Sequence, residues 1–120
     1  MNRDFLRRKQ KEATMKYSKK YFAEFEKRYP DVAKSFDQLG AVCAKAGPID
    51  RKTQRLIKLG AAVALGHEGN VQNLTTQALA DGMSSDEIRH AVLLTTTTAG
   101  FPTMMAAMQW VEEVIAAKEK

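Results

Sequence analysis

Residues 51–66 read RKTQRLIKLGAAVALG, and the fold is decided in this stretch. Leu56, Ile57, Leu59, Ala61, Val63 and Ala64 recur at helical spacing, with no every-second-residue alternation that would suit a half-buried strand. Asp50 stands immediately before as a capping acid and Gly66 immediately after as a stop. The pattern predicts a helix over Arg51–Leu65.

Outward toward the C-terminus the same grammar repeats. Gly66 and Gly69 interrupt the pattern, and a second helix is expected over Asn70–Asp81, apolar at Val71, Leu74, Ala78 and Leu79 and stopped by Gly82. Ser84-Ser85-Asp86-Glu87 has the capping-box arrangement, in which a serine hydroxyl and a glutamate carboxylate exchange bonds with each other's backbone amides. The helix it starts is expected to reach about Thr98, to bury Ile88, Val92 and Leu94, and to end at Gly100. Thr95–Thr98 favour strands in isolation. Between an apolar helical run and Gly100 they read as helix, with some hydroxyls bonded back to the preceding turn. Pro102 suits the first turn of a last helix over Thr103–Lys118, because it needs no amide partner there. In that helix Met104, Met108, Val111 and Ile115 follow i, i+4, i+7, i+11, while Met105 and Trp110 lie off the stripe. An exposed remainder of this surface points to an interface.

Toward the N-terminus, Gly47-Pro48 closes a helix that Asp31 is expected to open, with Val32, Phe36, Leu39 and Val42/Cys43 on one face. Cys43 reads as a small core residue. Ser18 is expected to cap a helix running through Arg28 and ended by Tyr29-Pro30. Tyr21, Phe22, Phe25 and Tyr29 form its stripe. Residues 4–16 are polar and basic, a frayed or docking helix. The fold class is all-α: a compact helical bundle of about five to six helices, with residues 1–29 as a basic helical N-terminal arm and residues 30–120 as the helical domain.

Composition narrows the function. A chain of 120 residues holds one modest core. No apolar run reaches the roughly 18 residues of a membrane span, and the N-terminus lacks the apolar segment of a signal peptide, so a cytoplasmic location is expected. The single cysteine excludes a Cys-x-x-Cys pair, an internal disulfide and a cysteine-based zinc site within one chain. No histidine–carboxylate spacing suggests a metal, and no cofactor is implied. Residues 1–29 carry ten Lys/Arg against four Asp/Glu, and the remainder nine against ten. Glu12, Glu24 and Glu26 interrupt the basic run, and no nucleic-acid-binding signature accompanies it. A solvated arm is expected rather than a nucleic-acid partner.

The phrases Gly47-Pro48-Ile49-Asp50-Arg51-Lys52, Ala62-Val63-Ala64-Leu65-Gly66-His67-Glu68, Ala78-Leu79-Ala80-Asp81-Gly82-Met83-Ser84-Ser85-Asp86-Glu87-Ile88 and Ala99-Gly100-Phe101-Pro102 occur in one order and spacing. In this the chain resembles the carboxymuconolactone decarboxylase and alkyl hydroperoxidase D superfamily over roughly residues 30–115. The resemblance implies a helical bundle around a buried helical hairpin, assembled as a homotrimer or homohexamer. It also implies one of two chemistries. One branch uses a Cys-x-x-Cys-x-x-x-His motif with an upstream glutamate, the first cysteine attacking as thiolate. The other lacks the cysteines and places a histidine and other polar groups around a lactone carboxylate. The two cysteine positions fall here on His67 and Asn70, the histidine on Leu74 and the glutamate on Arg55. A dithiol cycle is therefore not available to one chain.

Two functional readings follow. In the first, the protein is an enzyme acting on a small anionic organic acid or lactone. His67 and Glu68 would be the catalytic proton handlers, with Arg55 anchoring a carboxylate and Asn70 and Asn73 lining the ligand site. In the second, it is a non-catalytic oligomeric scaffold or binding module. Each residue also has a plain structural explanation. His67 and Glu68 suit helix ends, Arg55 sits among Arg51, Lys52 and Lys58 on a solvated face, and His90 is expected in solvent.

Overall fold

A computed structural model describes residues 17–119. The described residues form seven helical segments: α1 (Lys19–Arg28), α2 (Pro30–Lys45), α3 (Arg51–Leu65), α4 (Glu68–Ala80), α5 (Ser85–Leu93), the single turn α6 (Thr96–Ala99) and α7 (Phe101–Lys118). None of them is long and apolar enough to cross a membrane. The expectation of a helix over residues 4–16 lies outside the described residues.

The capping chemistry read from the sequence is present atom by atom. The Ser18 hydroxyl accepts from the Tyr21 amide at 3.0 Å, and the Asp50 carboxylate accepts from the Thr53 amide at 3.3 Å. In the capping box, the Glu87 amide donates to the Ser84 hydroxyl at 3.0 Å and the Ser84 amide to the Glu87 carboxylate at 3.1 Å. α3 ends where Gly66 adopts φ 69°. The Gly66 amide donates to Val63 and the His67 amide reaches five residues back to Ala62, a Schellman closure that requires a left-handed residue. Only two residues then separate α3 from α4.

Several boundaries differ from the sequence reading. α2 begins at Pro30 rather than Asp31, because proline has no amide to leave unpaired in a first turn. α4 begins at Glu68, two residues before Asn70, since the tight α3–α4 turn leaves His67 already at the N-cap. The threonine run does not continue α5. Thr95 and Thr96 hydroxyls donate to the carbonyls of Val92 and Leu93, three residues back, at 2.6 Å each. These bonds compete with the helical ladder at the point where α5 stops at Leu93 and the chain turns into α6. α7 begins at Phe101, with Pro102 in its first turn.

The core is built by α3, α4, α5 and α7, each of which packs on the other three. Leu59 and Val63 of α3, Val71 and Ala78 of α4, Ile88 and Val92 of α5, and Ala107 and Val111 of α7 are completely buried, with Leu74, Met104 and Ile115 nearly so. Of the predicted stripe of α7, Met104, Val111 and Ile115 are buried and Met108 partly so, whereas Met105 is half exposed. Leu94, expected in the core, is 63% exposed because α5 ends before it.

α1 and α2 stand apart. They pack on one another, and neither contains a buried residue. The face of Val32, Phe36, Leu39 and Val42 is 56–73% exposed. Cys43 is also exposed, which corrects its expected place in the core. The periodicity correctly located an apolar face, but no part of the same described chain covers it.

Candidate functional site

The α3–α4 hairpin carries the five residues singled out by sequence, and its geometry separates them into two groups. At the tight turn, His67 is the half-buried N-cap of α4 with no side-chain capping bond. Glu68 follows as the first helical residue and is 9% exposed. A carboxylate at this depth requires partners, and Glu68 has one. Asn70 and Asn73 lie on the first two turns of α4 and are exposed.

Arg55 sits at the other end of the hairpin. It lies twelve residues before His67, about 18 Å along a helix axis, so it and the His67–Glu68 pair do not converge on one small molecule. Its side chain is only 15% exposed. The guanidinium donates through Nε (3.2 Å) and Nη2 (2.6 Å) to Asp81 Oδ2, and through Nη1 to Gln77 Oε1. Arg51 adds a longer contact to Asp81 at 3.4 Å. Hydrogen bonding from Arg55, reinforced by the charges of Arg55 and Arg51, holds the Asp81 carboxyl below the usual carboxylate range. A carboxylate at a helix C-terminus is disfavoured by the unpaired carbonyls, and Asp81 is the C-cap of α4. The two arginines of the antiparallel partner helix offset that repulsion.

Asp81 and Gln77 were not recognised as a set with Arg55 from sequence. The signal was present. Reflecting the chain about the Gly66–His67 turn brings position 55 opposite position 78, within an arginine's reach of 77 and 81. That reflection becomes usable only once the turn is known to be this short.

Leu74 is 8% exposed between the fully buried Val71 and Ala78 on the same face of α4. Thr75 is fully buried beside it, its hydroxyl donating to the Val71 carbonyl at 2.7 Å.

Two concave regions are found elsewhere. One, of about 220 Å³, lies between the end of α2 and α3 and is lined by Cys43, Ala44, Gly47, Pro48, Ile49, Gln54, Ile57 and Lys58. Its floor is fixed by Gln54, whose Nε2 donates to the carbonyls of Ala44 (3.0 Å) and Ile49 (2.6 Å). The other, also about 220 Å³, is lined by Arg51, Lys52, Asp81, Gly82 and Met83. Neither is lined by His67, Glu68, Arg55, Asn70 or Asn73. Among the described residues no group of three or more histidine, cysteine or acidic side chains could hold a metal ion.

Comparison with known proteins identifies a family. The model of a family described as the carboxymuconolactone decarboxylase family matches residues 30–113, from the start of α2 to within α7. No curated protein and no solved structure matches the chain.

Proposed function

The chain belongs to the carboxymuconolactone decarboxylase family, and from that premise we propose that it is a non-catalytic oligomeric module, keeping the family's helical scaffold without its thiol chemistry. The observation that carries this reading is Leu74. At the position where the resemblance places the redox branch's histidine, this chain has an apolar side chain packed into the core, and a hydrocarbon side chain has no proton to transfer. The rest of the hairpin agrees. The two cysteine positions are occupied by His67 and Asn70, and Arg55, at the glutamate position, is committed to Asp81 and Gln77. The exposed apolar faces of α1 and α2 support assembly.

A second reading rests on one specific observation, the largely buried residue Glu68 beside His67 at the α4 N-terminus. There the protein acts on a small organic acid or lactone. His67 and Glu68 move the proton, Asn70 and Asn73 hold the ligand's polar groups, and Arg55 is reserved for the fold unless a ligand carboxylate displaces Asp81.

The experiment combines mass and turnover. The purified protein is expected to run at a multiple of its 13.4 kDa chain mass. It is expected to consume no alkyl hydroperoxide in the presence of a dithiol, and to release no carbon dioxide from a carboxymuconolactone. Turnover that disappears in His67→Ala but persists in Arg55→Ala would replace the scaffold reading with the second one.

A further inference from the structure

The outward face of α2 has a symmetry that its exposure alone does not convey. Val32, Phe36, Leu39 and Cys43 are spaced 4-3-4, the seam of a two-heptad coiled coil. That spacing reads the same in both directions. Inverted about its midpoint, between positions 37 and 38, it places Phe36 on Leu39 and Val32 on Cys43. Ala33, Gly40, Ser35 and Val42 flank the seam, so no charge stands at its edges. A Cβ built on Gly40 would meet nothing within 4 Å, which leaves room for close approach on that side. The charged residues of α2, Asp31, Lys34, Asp37 and Lys45, all stand off this seam, so apolar packing carries the pairing. The two-way symmetry of the spacing is what an antiparallel copy uses, its Phe36 meeting Leu39 and its Val32 meeting Cys43.

We propose that α2 pairs antiparallel with α2 of a second copy of this chain, in an isologous contact with Phe36 and Leu39 at its centre. This rests on the oligomeric reading above and gives it one surface. Val32, Phe36, Leu39 and Val42, exposed at 56, 73, 59 and 65%, offer on the order of 400 Å² per copy, a patch of the size that marks an interaction site. At the Cys43 end the seam runs onto Ile49 and Ile57 in the α2–α3 groove, both about half exposed. With them the area moves toward the roughly 800 Å² per partner of a stable protein–protein interface. A contact of this symmetry closes on itself as a two-fold pair.

The test uses the chain's single cysteine. Positions 32 and 43 are about 16 Å apart along one helix, far beyond the Cα separation a disulfide tolerates, so the thiol introduced by Val32→Cys cannot bridge to Cys43 within a chain. In the antiparallel pair each introduced thiol faces Cys43 of the other copy. Mild oxidation of Val32→Cys is expected to give a covalent dimer on a non-reducing gel. The wild type and Val32→Cys/Cys43→Ser are expected to give none. In parallel, Phe36→Glu is expected to weaken self-association on the order of a hundredfold or more, as loss of a central aromatic anchor does. Light scattering reads the mass, and circular dichroism checks that the helices remain, which the 73% exposure of Phe36 leads one to expect. A wild-type oligomer that neither cross-links through Val32→Cys nor responds to Phe36→Glu would overturn the α2 seam while leaving the oligomeric reading intact. A monomeric wild type would overturn both.

Discussion

Replacing Leu74 tests whether this position of α4 belongs to the packed core rather than to a polar site. Leu74 is 8% exposed, and its helical neighbours Val71 and Ala78 are fully buried. Burying a leucine side chain contributes about 1.5–3 kcal/mol by transfer alone. The cavity left by Leu74→Ala brings the usual total to about 2–5 kcal/mol, and near-complete burial within the core cluster places this site near ~3 kcal/mol. For a chain of 120 residues, an unfolding entropy of about 2.1 cal/mol/K per residue converts each kcal/mol to roughly 4 °C. Leu74→Ala should therefore lower Tm by about 10 °C. Leu74→His inserts a polar ring among apolar side chains, and its expected loss is of similar size, about 2–4 kcal/mol. Urea unfolding, with all three proteins at one chain concentration because assembly shifts apparent stability, reads both. A Leu74→His protein within about 0.5 kcal/mol of wild type would mean that position 74 opens onto a polar site, and the packing argument would fall with it.

Two further tests probe the polar contacts that frame the bundle. Ser84→Ala removes the acceptor for the Glu87 amide at 3.0 Å and should cost about 1 kcal/mol, as loss of an N-cap hydroxyl usually does; an unchanged urea midpoint would show that Glu87 alone closes the turn. Arg89 joins α5 to α7 through Glu112, at 2.5 Å from Nε and 3.1 Å from Nη2. Hydrogen bonding and charge from Arg89 hold the Glu112 carboxyl below its ordinary value near 4.5. Because the folded-state value is depressed, the stabilisation is present above pH 4.5 and lost as pH falls through the folded value. Glu112→Gln should accordingly flatten the acid limb of stability, measured from about pH 5 down to about pH 3. Superimposable acid limbs for the two proteins would refute the assignment.

How much was legible in advance depended on the range of the interaction concerned. Helix starts at Ser18, Asp50 and Ser84 and the stops at Gly66 and Gly82 rest on contacts between residues at most five apart, and the sequence by itself determined them. The apolar stripes of α3, α4, α5 and α7 were likewise readable, since helical periodicity is a local property. The single cysteine alone ruled out an internal thiol pair. Back-bonded threonine hydroxyls were legible too, but that those of Thr95 and Thr96 coincide with the end of α5 at Leu93 is not written in the composition.

Only the tertiary structure decided what those stripes meet. The amphipathic pattern of α2 has the same form as that of a core helix, yet Phe36 is 73% exposed and Cys43 faces outward, because burial depends on which other helix arrives and not on spacing. The partners of Arg55 are equally a matter of tertiary structure, since only the two-residue α3–α4 turn folds Gln77 and Asp81 against it. His67 and Arg55 could be named together from the sequence, but the hairpin sets them at its opposite ends. The chain encodes local conformation in local pairs. Convergence at a site is a property of helices brought together by a core, and that core draws on residues as distant in the chain as Leu59 and Ile115.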